Sequence, residues 1–199
     1  MTVSQRKRYL QTRVSGHLRK PSEGIDRGFT KPRQKHSFLG LPSVTVIAAV
    51  AKDKVIMWHV VQGSWNGAAA ANMYKNALAP ALRRTWGRQR RYTIVEDGDR
   101  KGNQSTKGIN AKIESKIDAM TLPPRTPSLM PLDYAIWKKI LDIMVDTAPT
   151  GAETKEQFLR RLEYTAKHLP RGFIAKQIDR MQGNIKALVD AKGYHPKND

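Results

Sequence analysis

The segment Val44-Thr45-Val46-Ile47-Ala48-Ala49-Val50 sets the first constraint on how this chain folds. Val44, Val46, Ala48 and Val50 alternate with Thr45, Ile47 and Ala49, an apolar run suited to a buried strand. Lys52-Asp53-Lys54 supplies a polar turn and Val55-Ile56-Met57-Trp58-His59-Val60-Val61 returns, so the pattern predicts a β-hairpin with a central strand. Asn66 is placed to cap a helix over 67–86, whose stripe is Ala70, Met73, Tyr74, Ala77, Leu78 and Leu82. Pro80 inside that stripe predicts a kink or a break.

Further along, Tyr92-Thr93-Ile94-Val95 predicts a short strand ending in Glu96-Asp97-Gly98-Asp99. A helix over 105–118 and a short strand over 119–122 follow. Pro123, Pro124, Pro127 and Pro131 then impose a rigid extended loop. Helices are predicted over 132–145, 153–168 and 172–192, the first burying Ile136, Ile140, Leu141 and Met144. No internal repeat is visible. The order hairpin, helix, strand, helix, strand, helix is an α/β layer architecture with a mixed sheet and a helical C-terminal part.

Charge narrows the partner. The 199 residues include 36 Lys or Arg against 17 Asp or Glu, a formal net charge of +19. Hydrophobic residues at 39% still allow a core, in one compact domain or a domain with tails. A charge of this size points to nucleic acid as the commonest polyanion, bound through phosphate neutralisation. A basic surface kept for solubility, or a ribosomal-type packing role, is the plainer alternative. No stretch approaches the roughly 18 to 20 apolar residues of a membrane span, so no membrane partner is expected. No apolar run follows Met1 to Lys7, so no secretory signal is expected, and the compartment is nuclear if the source is eukaryotic and otherwise cytoplasmic. Zero cysteines exclude disulfides, thiolate metal sites and cysteine nucleophiles together.

Residues 1–40 hold ten Lys or Arg against Glu23 and Asp26, a basic and largely irregular arm with one strand over 9–18. A solvated tail and a dedicated DNA-binding arm fit this composition equally. Arg83, Arg84, Arg88, Arg90 and Arg91 place five arginines within nine residues, either to line a DNA channel through phosphate contacts or as a solvated helix end. His17, His36, His59, His168 and His195 lack zinc-site spacing, and Ser64, Ser105 and Ser128 lack a nucleophile-elbow context. Trp58, Trp65, Trp86 and Trp137 suit a core better than base-stacking platforms.

Asp97 stands where α/β sheets present ligands and catalytic groups, at a strand's C-terminal end. Asp133 opens a helix after the proline loop. Two carboxylates brought together there suit a hard divalent cation, Mg²⁺ or Mn²⁺. With two metals such a site clamps the attacking and leaving oxygens of an in-line phosphodiester displacement. The plain alternative is Asp97 in a turn and Asp133 as a helix cap.

The string Ile94-Val95-Glu96-Asp97-Gly98-Asp99-Arg100-Lys101 resembles the second acidic motif of mariner-type transposases, members of the DDE superfamily. Pro123-Pro124-Arg125-Thr126-Pro127-Ser128-Leu129-Met130-Pro131-Leu132-Asp133-Tyr134 resembles that family's proline motif, which leads to its last acidic residue. Asp97 and Asp133 stand 36 positions apart, which fits the family spacing. The hairpin from Ser43 to Trp58 and the helix from Trp65 to Leu82 extend the resemblance over about residues 40–146.

The resemblance implies a ribonuclease-H-like core over 41–146, between the arm of 1–40 and a helical extension over 147–199. It implies metal-dependent DNA cleavage and strand transfer with Mg²⁺ or Mn²⁺, DNA as partner, and leaves a homodimer open. Asp97 and Asp133 would be the second and third catalytic metal ligands. The histidine usual after the second Asp is replaced near Lys101-Gly102, and the acidic residue inside the proline motif is Ser128. The family's first catalytic Asp lies on a strand before the hairpin. Only Asp26 is available before Ser43, so the expectation is a chain truncated at its N-terminus and lacking that first strand. A catalytically inactive nucleic-acid-binding relic is therefore the alternative function.

Overall fold

The computed structural model describes residues 8–16, 44–123, 126–150 and 153–191. Glu23 and Asp26 lie outside the described residues. A five-stranded mixed sheet forms the centre, in the order β3-β2-β1-β4-β5. Strand β1 (Arg8–Gly16) runs antiparallel to β2 (Val44–Ala51), and β2 antiparallel to β3 (Lys54–Val60). Strand β4 (Tyr92–Glu96) lies parallel to β1 on one side and to β5 (Ile117–Thr121) on the other.

The apolar run of β2 forms a buried strand because both of its faces are covered. Ile47, Ala49 and Ala51 enter one core, Val46, Ala48 and Val50 the other, and none of the six is more than 4% exposed. Alternation of side chains across the pleat does this sorting. The first core packs α1 (Gly67–Met73), α2 (Ala79–Trp86) and α3 (Thr106–Glu114) on one face of the sheet. The second packs α4 (Trp137–Asp146), α5 (Lys155–Lys167) and α6 (Phe173–Asp190) on the other.

Asn66 caps α1 as its sequence predicts, accepting from Ala68 N at 2.9 Å and Ala69 N at 3.1 Å. The helix does not break at Pro80. A π-turn over Tyr74–Leu78 joins α1 to α2, with Ala79 N donating to Tyr74 O. That wider turn accommodates a ring that has no N–H to give and that clashes with the carbonyl one α-turn back. A second π-turn, Leu132–Ile136, follows Pro131 and leads into α4.

Two expectations need correction. The first strand is present, since β1 occupies the centre of the sheet between β2 and β4. The helix expected over 105–118 ends at Glu114 and the next strand starts at Ile117. Lys116 adopts a left-handed φ of 59° and turns the chain there, a position where sequence rules look for Gly or Asn.

Candidate functional site

Strand alternation at the end of β4 decides which carboxylate faces where. Ile94 belongs to the first core and Val95 to the second, so Glu96 returns to the first and Asp97 leaves the strand on the other side. Glu96 is fully buried and pairs with the buried Lys112 of α3. It also accepts from Tyr74 Oη at 2.5 Å and from Gln104 Nε2 at 3.3 Å. Burial pushes the Glu96 carboxyl above its ordinary range, and the Lys112 ammonium opposes that shift. Burial and the neighbouring Glu96 charge push the Tyr74 phenol far up, so it stays a donor.

Asp97 and Asp133 line a common cleft of about 620 Å³ at this end of the sheet. Asp99, Gln104, Thr121 and Met130 contribute to its wall. Asp97 is half-buried and Asp133 exposed. Asn103 is 2% exposed and donates through Nδ2 to Asp97 Oδ1 at 2.7 Å. Asp99 faces the loop itself, accepting from Trp65 Nε1 at 2.6 Å and Gly102 N at 2.8 Å. Gly102 has to be glycine, because a Cβ there would lie 2.2 Å from Trp65 Nε1. Ser105 caps α3 by accepting from Gly108 N at 3.1 Å and donates to Gly102 O at 2.7 Å. The loop carrying Asp97 is thus tied down on both sides.

Asp133 is placed by the second core. Its N–H donates to Met130 O at 2.8 Å, and Leu129, Met130 and Leu132 are all buried beneath it. Helix α6 braces this segment. Asn184 Nδ2 donates to Ser128 O at 2.6 Å, and Tyr134 Oη donates to Gln177 O. Helix α6 is in turn anchored by the hairpin turn, where Asp53 accepts from Gly172 N at 2.5 Å and Ala175 N at 3.2 Å. Those amide donors hold the Asp53 carboxyl below its ordinary range.

Among the described residues no three His, Cys, Asp or Glu side chains cluster for a metal ion. The donor set of the cleft nevertheless suits one hard cation. Magnesium is commonly held by one or two carboxylates, with water and substrate phosphate filling its remaining positions. Strand β1 adds no acid. Its register with β4 runs to Gln11 opposite Glu96, and the segment Arg8–Gly16 contains no Asp or Glu. Asn103, Asp99 and Gln104 were not singled out by sequence reasoning. Their only sequence signal is proximity to Asp97.

The five clustered arginines do not reach this cleft. Arg83 and Arg84 are in the last turn of α2, and Arg88, Arg90 and Arg91 precede β4. Six residue steps along an extended strand put Arg91 about 20 Å from Asp97, at the opposite end of the sheet.

The same architecture occurs in solved transposase structures. A Mos1 transposase paired-end complex with the left transposon end aligns over 97% of this chain with a TM-score of 0.74 and 14% identity. The chain has the ribonuclease-H-like fold of the Mos1 mariner transposase catalytic domain. That catalytic domain alone matches 78% of this chain at a TM-score of 0.66 and 16% identity, with 76% of the Mos1 domain covered. A Mos1 paired-end complex with Mn matches 96% at a TM-score of 0.73 and 14% identity. This chain spans 57% of the length of the Mos1 chain in the left-end complex. No protein-family model matches the sequence. No curated protein matches it either. No helix among the described residues is long and apolar enough to cross a membrane.

Proposed function

We propose that this chain is a mariner-transposase-like domain that binds DNA and cleaves its phosphodiester backbone with a divalent metal, Mg²⁺ or Mn²⁺. The carrying observation is that Asp97, at the end of β4, and Asp133, at the start of the segment leading into α4, line one cleft. The Mos1 neighbours, solved in DNA complexes and with Mn or Mg, support the reading. The charge of +19 favours a polyanionic substrate.

In this mechanism Asp97 and Asp133 would hold the cation, and Asn103 fixes the Asp97 carboxylate by donating to its Oδ1. Bound there, a divalent cation supplies charge neutralisation and Lewis-acid polarisation at the scissile phosphate. Arg100, exposed on the cleft wall, is available to a non-bridging phosphate oxygen. Lys112 keeps a neutralising partner for Glu96 behind the strand, so the buried side adds little net negative charge to the site.

The decisive assay is nicking of supercoiled plasmid with Mn²⁺, comparing the parent chain with Asp97→Asn and Asp133→Asn. Nicking by the parent that is lost in both variants supports cleavage, and nicking that survives in both sinks the assignment.

A second reading has its own observation. Strand β1, whose register with β4 ends at Gln11 opposite Glu96, carries no Asp or Glu, so among the described residues it supplies no acid where the family pattern has its first one. This favours a DNA-binding relic without cleavage. It predicts retained duplex binding and no nicking by any of the three proteins at any Mg²⁺ or Mn²⁺ concentration.

A further inference from the structure

We infer that the end of the sheet opposite the acidic cleft is a second, separate binding surface for the phosphate backbone of duplex DNA. It shares with the function proposed above only its partner, and needs no metal.

The surface is assembled from three places in the sequence. Arg83 and Arg84 end α2, Arg88 and Arg90 lie on the loop before β4, Lys52 is in the β2–β3 turn and Lys116 precedes β5. All six are exposed. The strand directions bring them together, because β2 runs down to the end where β4 and β5 begin. Two distances fix the neighbourhood. Lys52 Nζ sits 5.4 Å from the Trp86 ring centroid, and Tyr92 N donates to Lys116 O at 2.9 Å.

The basic loop is held in shape before any ligand arrives. Tyr92 is 4% exposed and its hydroxyl donates to Gly87 O at 2.6 Å while accepting from Gln89 N at 3.2 Å. Gln89 Nε2 donates to Trp86 O at 2.8 Å, and Gly87 turns the chain at a φ of 70°. Arginines presented on a fixed loop lose less freedom on binding than those on a free tail.

The nearby carboxylates do not cancel this charge. Asp118 is engaged by Arg91 at 2.6 Å, and Asp53 is committed to the start of α6. The aromatic rings point away from a single-strand mode. Single-strand binders stack bases on open aromatic faces, whereas Tyr92 is buried and Trp86 is half-buried under Lys52. Cations without an open stacking platform suit a duplex backbone, read by charge alone.

The test is fluorescence anisotropy with a labelled duplex, in chelator, across a salt series. Chelation removes any contribution of the metal site, so failure there and failure here are distinguishable. Replacing Arg83, Arg84, Arg88 and Arg90 together by Gln is expected to lower the slope of log K against log salt by about 2 to 4, at about 0.9 for each phosphate no longer neutralised. The same four changed to Lys keep their charge and should shift the slope by less than about 1. An unchanged slope in the Gln variant overturns the inference, and so does a single strand that binds as tightly as the duplex. The unsubstituted chain gives an independent reading. Duplex DNA should protect Lys52 and Lys116 from an amine-reactive reagent, and full reactivity of both in its presence overturns the surface.

Discussion

Asn103 donates through Nδ2 to Asp97 Oδ1 at 2.7 Å from a position only 2% exposed, so the carboxylate at the end of β4 is oriented by a buried amide. A metal-binding carboxylate held in this way depends on its partner for affinity. Replacing such partners typically costs about 10- to 100-fold in metal affinity. Asn103→Ala is expected to weaken Mn²⁺ binding by that factor while leaving duplex binding in chelator unchanged. Electron paramagnetic resonance of free Mn²⁺ during titration measures the former.

The Glu96–Lys112 pair predicts an asymmetric response to substitution. Both side chains are out of solvent, at 0% and 7% exposure, so removing one leaves the other uncompensated. Lys112→Met should cost about 3 to 5 kcal/mol of stability, with much of that recovered by adding Glu96→Gln. Glu96 already has its carboxyl raised from 4.5 by burial, and loss of Lys112 raises it further. A raised folded-state value favours the protonated form. The single variant's deficit should therefore be smallest below pH 4.5 and grow as pH rises through the folded-state value. Urea unfolding of the single and double variants from pH 4 upward follows both effects.

Asp53 gives the opposite pH dependence. Its carboxyl is held below 3.8 by the amides of Gly172 and Ala175. The stabilisation is present above the unfolded value and is lost as pH falls through the lower folded value. Asp53→Asn should melt below the parent at neutral pH, and the two melting curves should converge as pH drops below 3.8. Circular dichroism melts across that range provide the comparison.

Strand β1 offers a position at which to add a third carboxylate. Thr12 follows Gln11, the last residue in register with β4, and shares a strand parity with Asp97. Thr12→Asp is expected to tighten Mn²⁺ binding by at least about tenfold, because each added carboxylate donor suits a hard cation. No gain in affinity in a folded variant would show that β1 does not contribute to this cleft.

Much of the fold is legible in the sequence where a residue's neighbours along the chain decide its environment. The β2 run is apolar on both faces because both faces are covered, and Asn66 caps α1 through its own local amides. Strand β1 was legible as a strand over 9–18 but not as the centre of the sheet. Arg8–Gly16 has no strong apolar run, and its central place comes from backbone pairing with β2 and β4. The early end of α3 was hidden because Lys116, not a glycine, takes the left-handed turn. Asp97 and Asp133 stand in the two motifs of the sequence, and the fold brings both to one cleft. Asn103 was not legible, since only the folded loop brings its amide to Asp97. The arginine cluster was visible as a cluster, but its distance from the acidic pair follows from the direction of β4, which no local pattern records.

The central claim is that Asp97 and Asp133 together hold a divalent cation. Isothermal titration of Mn²⁺ into the purified chain, beside Asp97→Asn and Asp133→Asn, tests it most directly. The account predicts saturable binding by the parent that disappears in each variant. Absence of binding by the parent, or binding that survives both substitutions, would contradict it.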